Sequence, residues 1–247
     1  TSSFIAAGGN PRALPSHDSP STMRILLTND DGIDAPGIVA LHDALQGLGE
    51  IVPIAPKTVQ SAMSHGITFT QPLMIEEVAV NERMRGVAVD GRPADCVKVA
   101  LRAIWQERFG EGSRPDLTIS GMNAGANVGI NIIYSGTVAA AVESAFLGVP
   151  AIAVSLSIGD RARTCFPRAA QIARKAIDRV LAHELEAHSV ININIPRTES
   201  ADAPIPEMRV VEMNAAPGTD GYERRVNPYE QVYYLSLIHI SEPTRPY

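Results

Sequence analysis

Two adjacent carboxylates, Asp30 and Asp31, close the segment Thr28-Asn29-Asp30-Asp31-Gly32 directly after a short apolar run. Side by side they repel, and such a pair is held cheaply only by a cation, a shared proton or solvation. Asp and Gly are also ordinary turn residues, so alone the pair reads equally well as a turn. A second segment changes the balance. Ser120-Gly121-Met122-Asn123-Ala124-Gly125-Ala126-Asn127-Val128-Gly129 follows another apolar run and interleaves small residues with two Asn. Its backbone can approach a ligand closely, and an Asn amide offers oxygen to a metal or N–H to a phosphate. A third segment, Tyr134-Ser135-Gly136-Thr137, immediately precedes a helical pattern. Exposed N–H groups and the helix dipole make such an end an anion site, to which two hydroxyls add donors. Capping by Ser or Thr uses the same groups, so both readings can hold. Ser61 follows the second apolar run and could bring another hydroxyl to the same sheet edge.

These candidate ligands are carboxylate, hydroxyl and amide oxygens. They suit Mg²⁺ or Mn²⁺, Ca²⁺ less well, and argue against structural zinc. His183-Glu-Leu-Glu-Ala-His188 is one residue longer than the H-E-x-x-H signature. On a helix its two imidazoles would diverge by about 140°, so it reads as a solvated helix end. His42 is expected on the exposed face of the first helix, and His65 in a loop near Ser61.

The elements that must position these residues follow from periodicity. Arg24–Thr28 reads as a buried strand, and Asp34-Ala35-Pro36 starts a helix with Pro in its first turn. Ile38, Leu41, Leu45 and Leu48 stripe one face of that helix, which ends at Gly47 and Gly49. Further strands are expected at 51–55, 67–69, 87–89, 117–119, 151–156 and 190–195, the last with an Asn-bearing polar face. Helices are expected from Pro93, over 137–147 and over 166–181. The β-loop-α-β order predicts an α/β fold: a doubly wound, mostly parallel sheet with right-handed crossovers. Ligands of such a sheet bind at the carboxyl ends of its strands, where Asp30 and Asp31 stand.

Residues 1–22 lack periodicity and are expected to be a disordered or non-native leader before a domain spanning 23–235. Residues 236–247 share no composition with what precedes them and read as a non-native tail. Within 247 residues, 45% hydrophobic and 19% charged, the composition is that of an ordinary globular domain. A net charge of −6 argues against a nucleic-acid polymer as ligand. No stretch reaches the roughly 20 apolar residues of a membrane span. Cys96 and Cys165 stand in no paired spacing and read as buried thiols in a reducing, cytoplasmic setting.

The runs M-R-I-L-L-T-N-D-D-G-I-D-A-P-G-I, D-G-R-P-A-D-C-V and S-G-M-N-A-G-A-N-V-G-I-N-I-I-Y-S-G-T-V-A-A-A-V-E together resemble the SurE family of survival proteins. The resemblance covers roughly Met23 to Leu235. It implies a Rossmann-like core with a small irregular β extension, and hydrolysis of nucleoside 5′-monophosphates. It implies 3′-monophosphates as further substrates and polyphosphate as a side activity. It also implies one divalent metal per subunit, Mg²⁺ or Mn²⁺, held by Asp30, Asp31, Ser61 and Asn123. Asn127 and Ser135-Gly136-Thr137 match the family's phosphate contacts, and Asn29 and Gly121 are expected beside the substrate. The resemblance implies a homodimer or homotetramer built partly by a C-terminal extension, which Pro217–Asp220 and Tyr229–Leu235 approach. Arg92 departs from the family, where a small residue is usual. From the residues alone, a nucleotide-binding module without turnover competes with this reading. A dinucleotide dehydrogenase does not, because no G-x-G-x-x-G follows the first strand.

Overall fold

A computed structural model describes residues 22–61, 63–214 and 221–236. The expected leader before residue 22, the tail after residue 236, Pro217–Asp220 and His239 lie outside the described residues. The chain begins with β1 (Arg24–Thr28), α1 (Pro36–Leu45) and β2 (Glu50–Pro56), a parallel β-α-β unit. Pro36 occupies the first helical turn, where its missing N–H costs nothing. An irregular stretch leads to the hairpin of β3 (Ile75–Ala79) and β4 (Arg85–Val89). Next come α2 (Pro93–Val99), a π-helical turn at Ala100–Ile104, and α3 (Trp105–Phe109). The chain continues through β5 (Leu117–Ala124), α4 (Asn131–Tyr134), α5 (Gly136–Phe146) and β6 (Ala151–Leu156). A 3₁₀ turn at Arg161–Arg163 precedes α6 (Phe166–Leu181) and β7 (Val190–Ile195), and β8 (Tyr222–Val226) pairs with β9 (Val232–Ser236).

Seven strands form one sheet in the order β3-β4-β2-β1-β5-β6-β7, and only β3 runs antiparallel to its neighbour. The strand order reverses between β1 and β5, which pair with Thr28 opposite Ser120. That is the topological switch point, where the carboxyl ends of both strands open a crevice. Both faces are covered, so the central strands carry continuous apolar runs. Alternate residues of β1 serve different layers. Ile25 and Leu27 join Ile38, Leu41 and Ile177 of α1 and α6 on one face; Leu26 joins Val97, Trp105 and Ala140 on the other.

Several sequence expectations need correction. The strand expected at Ile67–Phe69 is irregular backbone, because the Thr68 N–H and hydroxyl bind the buried Asp95 carboxylate at 2.9 and 2.7 Å. The loop expected from Ser120 is strand as far as Ala124, since pairing with β6 continues past a register shift between Gly121 and Asn123. His42, expected to face solvent, is buried. The β3–β4 hairpin, half of it unrecognised in the sequence, reaches this flank and ties to α1 through Arg83 and Asp43 at 2.7 Å. Desolvation then lowers the pKa of His42. Of the two thiols expected to be buried, Cys96 is, but Cys165 is only half-buried. Among the described residues, no helix is long and apolar enough to cross a membrane.

The start of α1 is pressed against the end of β5, so that a Cβ on Gly37 would lie 2.0 Å from the Met122 carbonyl oxygen. Neither backbone can give without disturbing the crevice. Gly37→Ala is therefore expected to cost about 3 kcal/mol of stability, the upper range for overpacking, read as a lowered urea midpoint with unchanged slope.

Candidate functional site

Just past the end of β1, Asp30 and Asp31 are held by different elements. Asp30 is buried and turns towards α5, where Thr137 Oγ1 donates to its Oδ1 at 2.5 Å. The approach is close because residue 136 is Gly: a Cβ there would meet Asp30 Cβ at 2.8 Å and Oδ2 at 3.0 Å. The Asp30 carboxylate thus sits at the N-terminus of α5, where the helix dipole favours negative charge. Asp31 Oδ2 instead accepts from the Ala124 N–H at 3.2 Å.

Burial pushes the Asp30 carboxyl up to about 6; the Thr137 bond opposes this and the neighbouring Asp31 charge adds to it. Asp31 is raised as well, chiefly by burial, against the Ala124 amide and the Arg161 guanidinium. Two desolvated carboxylates so placed favour a cation between them. Among the described residues, no group of three or more His, Cys, Asp or Glu side chains could hold a metal. The donors are two carboxylates and neutral oxygens, which suits a hard, partly hydrated cation. Asn123 fits such a set: its Nδ2 donates to Gly125 O at 2.8 Å, leaving the amide oxygen outside that bond. Asn29 donates to Gly32 O at 2.7 Å, while its Oδ1 is buried with no protein partner.

Ser61 stands in an exposed turn beside this centre. Gln60 N–H donates to Asp30 O at 2.7 Å, which anchors the preceding residue to the carboxylate segment. The same loop is docked on α4 and α5. Ser64 Oγ donates to Ile133 O at 2.8 Å, and His65 Nε2 meets Glu143 Oε2 at 2.8 Å. Ser135 caps α5, its Oγ accepting from the Val138 N–H at 3.1 Å. Ser135 thus caps this helix, and the Asp30 carboxylate lies against its first turn.

Gly121 is buried inside β5 with φ +140°, and a Cβ would strike Val154 O at 2.3 Å. Asn127 is buried too. Its Nδ2 donates to Ser155 Oγ at 2.8 Å, and its backbone is clamped by Asn192 and Asn194, whose amides reach Asn127 O at 2.9 and 3.1 Å. Sequence reasoning missed these supports, although the Ile-Asn alternation of β7 signalled a polar face. It also missed Arg161, which no motif marks. Outside the site, His188 Nδ1 lies 2.7 Å from Ala145 O, and the segment His183–His188 follows α6 rather than forming part of it.

A family model described as survival protein SurE matches residues 25–217. The chain is 43% identical over 226 residues to a 5′-nucleotidase SurE of Rhodopirellula baltica, covering 91% of this chain and 84% of that protein. It is 40% identical over 218 residues to a 5′-nucleotidase SurE of Carboxydothermus hydrogenoformans, covering 86% and 78%. The solved structure of a SurE protein from Aquifex aeolicus superposes with a TM-score of 0.72 at 34% identity, covering 86% of this chain and 81% of that one.

The raised Asp30 pKa has a thermodynamic signature. Its folded value of about 6 exceeds the ordinary 3.8, so the folded state keeps this proton longer than the unfolded one. The stability this provides is full below pH 3.8, falls as pH rises, and is lost by about pH 6. In metal-free protein, Asp30→Asn should remove a decline of about 3 kcal/mol over that window, measured by urea unfolding at a series of pH values.

Proposed function

The chain belongs to the SurE family, and on that premise we propose that it is a metal-dependent phosphomonoesterase acting on nucleoside 5′-monophosphates. The observation that carries this reading is the pair of desolvated carboxylates, Asp30 buried and Asp31 half-buried, at the β1–β5 switch point. A pure phosphate binder would avoid such a pair, because it repels an anion. Asp30, Asp31, Ser61 and Asn123 would hold one Mg²⁺ or Mn²⁺. When bound, that ion supplies Lewis acidity to a phosphoryl oxygen and lowers the pKa of a coordinated water.

The protein's own groups do the rest. Thr137 orients Asp30, and the Ala124 amide orients Asp31, so neither carboxylate must reorganise as charge develops. The first turn of α5 offers the Ser135 hydroxyl and backbone amides to the phosphoryl oxygens beside Asp30, while the Thr137 hydroxyl is committed to the Asp30 carboxylate. Asn127 and Asn29 complete the polar lining, and the clamp from β7 keeps the Asn127 loop from drifting. The same chemistry extends to 3′-monophosphates and to the terminal phosphate of polyphosphate, since the phosphoryl group is what the site grips.

A cytoplasmic setting suits the free cysteines, which stay reduced there. Self-association as a homodimer or homotetramer is proposed through the β8–β9 hairpin, whose Tyr222, Val226 and Tyr234 are exposed. Excision of residues 221–236 is expected to convert the assembly to monomer by analytical ultracentrifugation; an unchanged mass would rule the hairpin out.

Phosphate release from AMP is expected to require Mg²⁺ or Mn²⁺ and to stop with EDTA. Asp31→Asn should lower kcat/KM beyond the 10- to 100-fold typical of outer-shell changes, with an unaltered circular dichroism spectrum. Full activity in that variant, or in EDTA, would sink the proposed centre. AMP binding without turnover or metal would favour the module reading instead. Thr137→Val removes only the support to Asp30 and should weaken metal affinity by about 10- to 100-fold, read by titrating the metal in calorimetry.

A further inference from the structure

The direction of Asp31 leads to a second compartment. A cavity of about 440 Å³ opens beside it, on the α1 and α6 face of the sheet, opposite the side on which Asp30 meets α5. Asp31 forms one wall; Pro36 and Phe166 provide apolar surface, and Asp34, Arg161 and Thr164 supply polar groups. Phe166 is half-buried, the first residue of α6, and packs over Gly37, whose added Cβ would lie 3.5 Å from the ring.

We infer that this cavity holds the nucleobase of the substrate, stacked on Phe166 with Arg161 and Thr164 at its polar edge. The inference rests on the phosphomonoesterase reading and adds the residues that select the leaving nucleoside. Three observations carry it. Asp31, beside Asp30, forms a wall of the cavity, so the organic half of an ester whose phosphoryl group sits at Asp30 and α5 reaches it by passing Asp31. That path opens into the cavity. Its volume lies within the range of small-molecule sites, about 300–1,000 Å³, so a nucleoside can enter it. A flat apolar wall with hydrogen-bonding groups around it matches a heterocycle, which has two apolar faces and a polar rim. An acyclic or purely polyhydroxylated leaving group would leave the Phe166 ring without a partner. Arg161 faces the Asp31 charge in this structure. A cation at the carboxylate pair takes over that countercharge and leaves the guanidinium to the base. None of Arg161, Thr164 and Phe166 falls within the motifs that carry the family resemblance.

The test separates the base from the phosphate. Adenosine, which has no phosphate, is titrated by calorimetry in Mg²⁺ into wild type, Phe166→Ala and Phe166→Tyr. In parallel, KM for AMP and the inhibition constant of inorganic phosphate are measured. Phe166→Ala should weaken adenosine and raise KM for AMP by roughly tenfold, while the phosphate constant stays within twofold. Phe166→Tyr, which keeps the stacking face, should restore both. Wild type that does not bind adenosine, or a Phe166→Ala variant with unchanged adenosine and AMP values, overturns the inference. So does a parallel loss of phosphate affinity, which marks Phe166 as merely structural. Adenosine binding that depends on Phe166 without hydrolysis of any nucleotide would uphold the cavity and refute the phosphomonoesterase. Metal-dependent hydrolysis indifferent to Phe166 would do the reverse.

Discussion

The repulsion between two carboxylates on consecutive residues is the constraint around which this protein is organised. Past the end of β1 at Thr28 the backbone bends, and Asp30 and Asp31 take partners on different elements. Each is then met by a different device. The N-terminus of α5 and the Thr137 hydroxyl receive Asp30, and a backbone amide of β5 receives Asp31. Those bonds do not cancel the cost of burial, since both groups remain harder to ionise than a carboxyl in water. The residual cost is of the kind that a nearby cation relieves.

Holding that arrangement requires backbones that cannot slide. Gly37 lets α1 rest on the end of β5, and Gly136 lets α5 rest on Asp30; both contacts are too close for any side chain. A second set of ties fixes the loops. Gln60 is bonded to the Asp30 carbonyl, and the loop beyond Ser61 is docked through Ser64 and His65. Thr68 and Arg92 converge on the buried Asp95, with the Arg92 N–H donating at 3.0 Å and its guanidinium reaching Ile67 O at 3.4 Å. Arg92, the departure from the family pattern, therefore braces the loop that carries Ser61. The Asn192–Asn194–Asn127 clamp does the same for the loop after β5, from two strands further on in sequence.

The crevice at the switch point has two unlike sides. The side towards α5 is polar and presents a helix end; the side towards α1 and α6 is a cavity with an aromatic wall. A doubly wound sheet brings both to one crevice because its strand order reverses there, so the two neighbouring crossovers lie on opposite faces and diverge.

The sequence by itself determined the alternation of strands and helices, hence the doubly wound sheet. Apolar periodicity and the Pro and Gly boundaries are local signals, and Phe166–Leu181 and Val190–Ile195 were legible to the residue. It also determined the oxygen-rich candidate ligands, since residue types set which cation they suit. Tertiary structure decided which way each carboxylate faces, because that depends on which helix end and which amide the sheet brings alongside. It decided that His42 is buried, on a flank where Arg83 of the distant β3–β4 hairpin pairs with Asp43. It likewise decided that Ile67–Phe69 is not a strand, because Asp95, 27 positions beyond Thr68, takes the hydrogen bonds a sheet would have used. The cavity was invisible for the same reason: Asp31, Arg161 and Phe166 are distant in sequence, and only packing α6 against α1 brings them together.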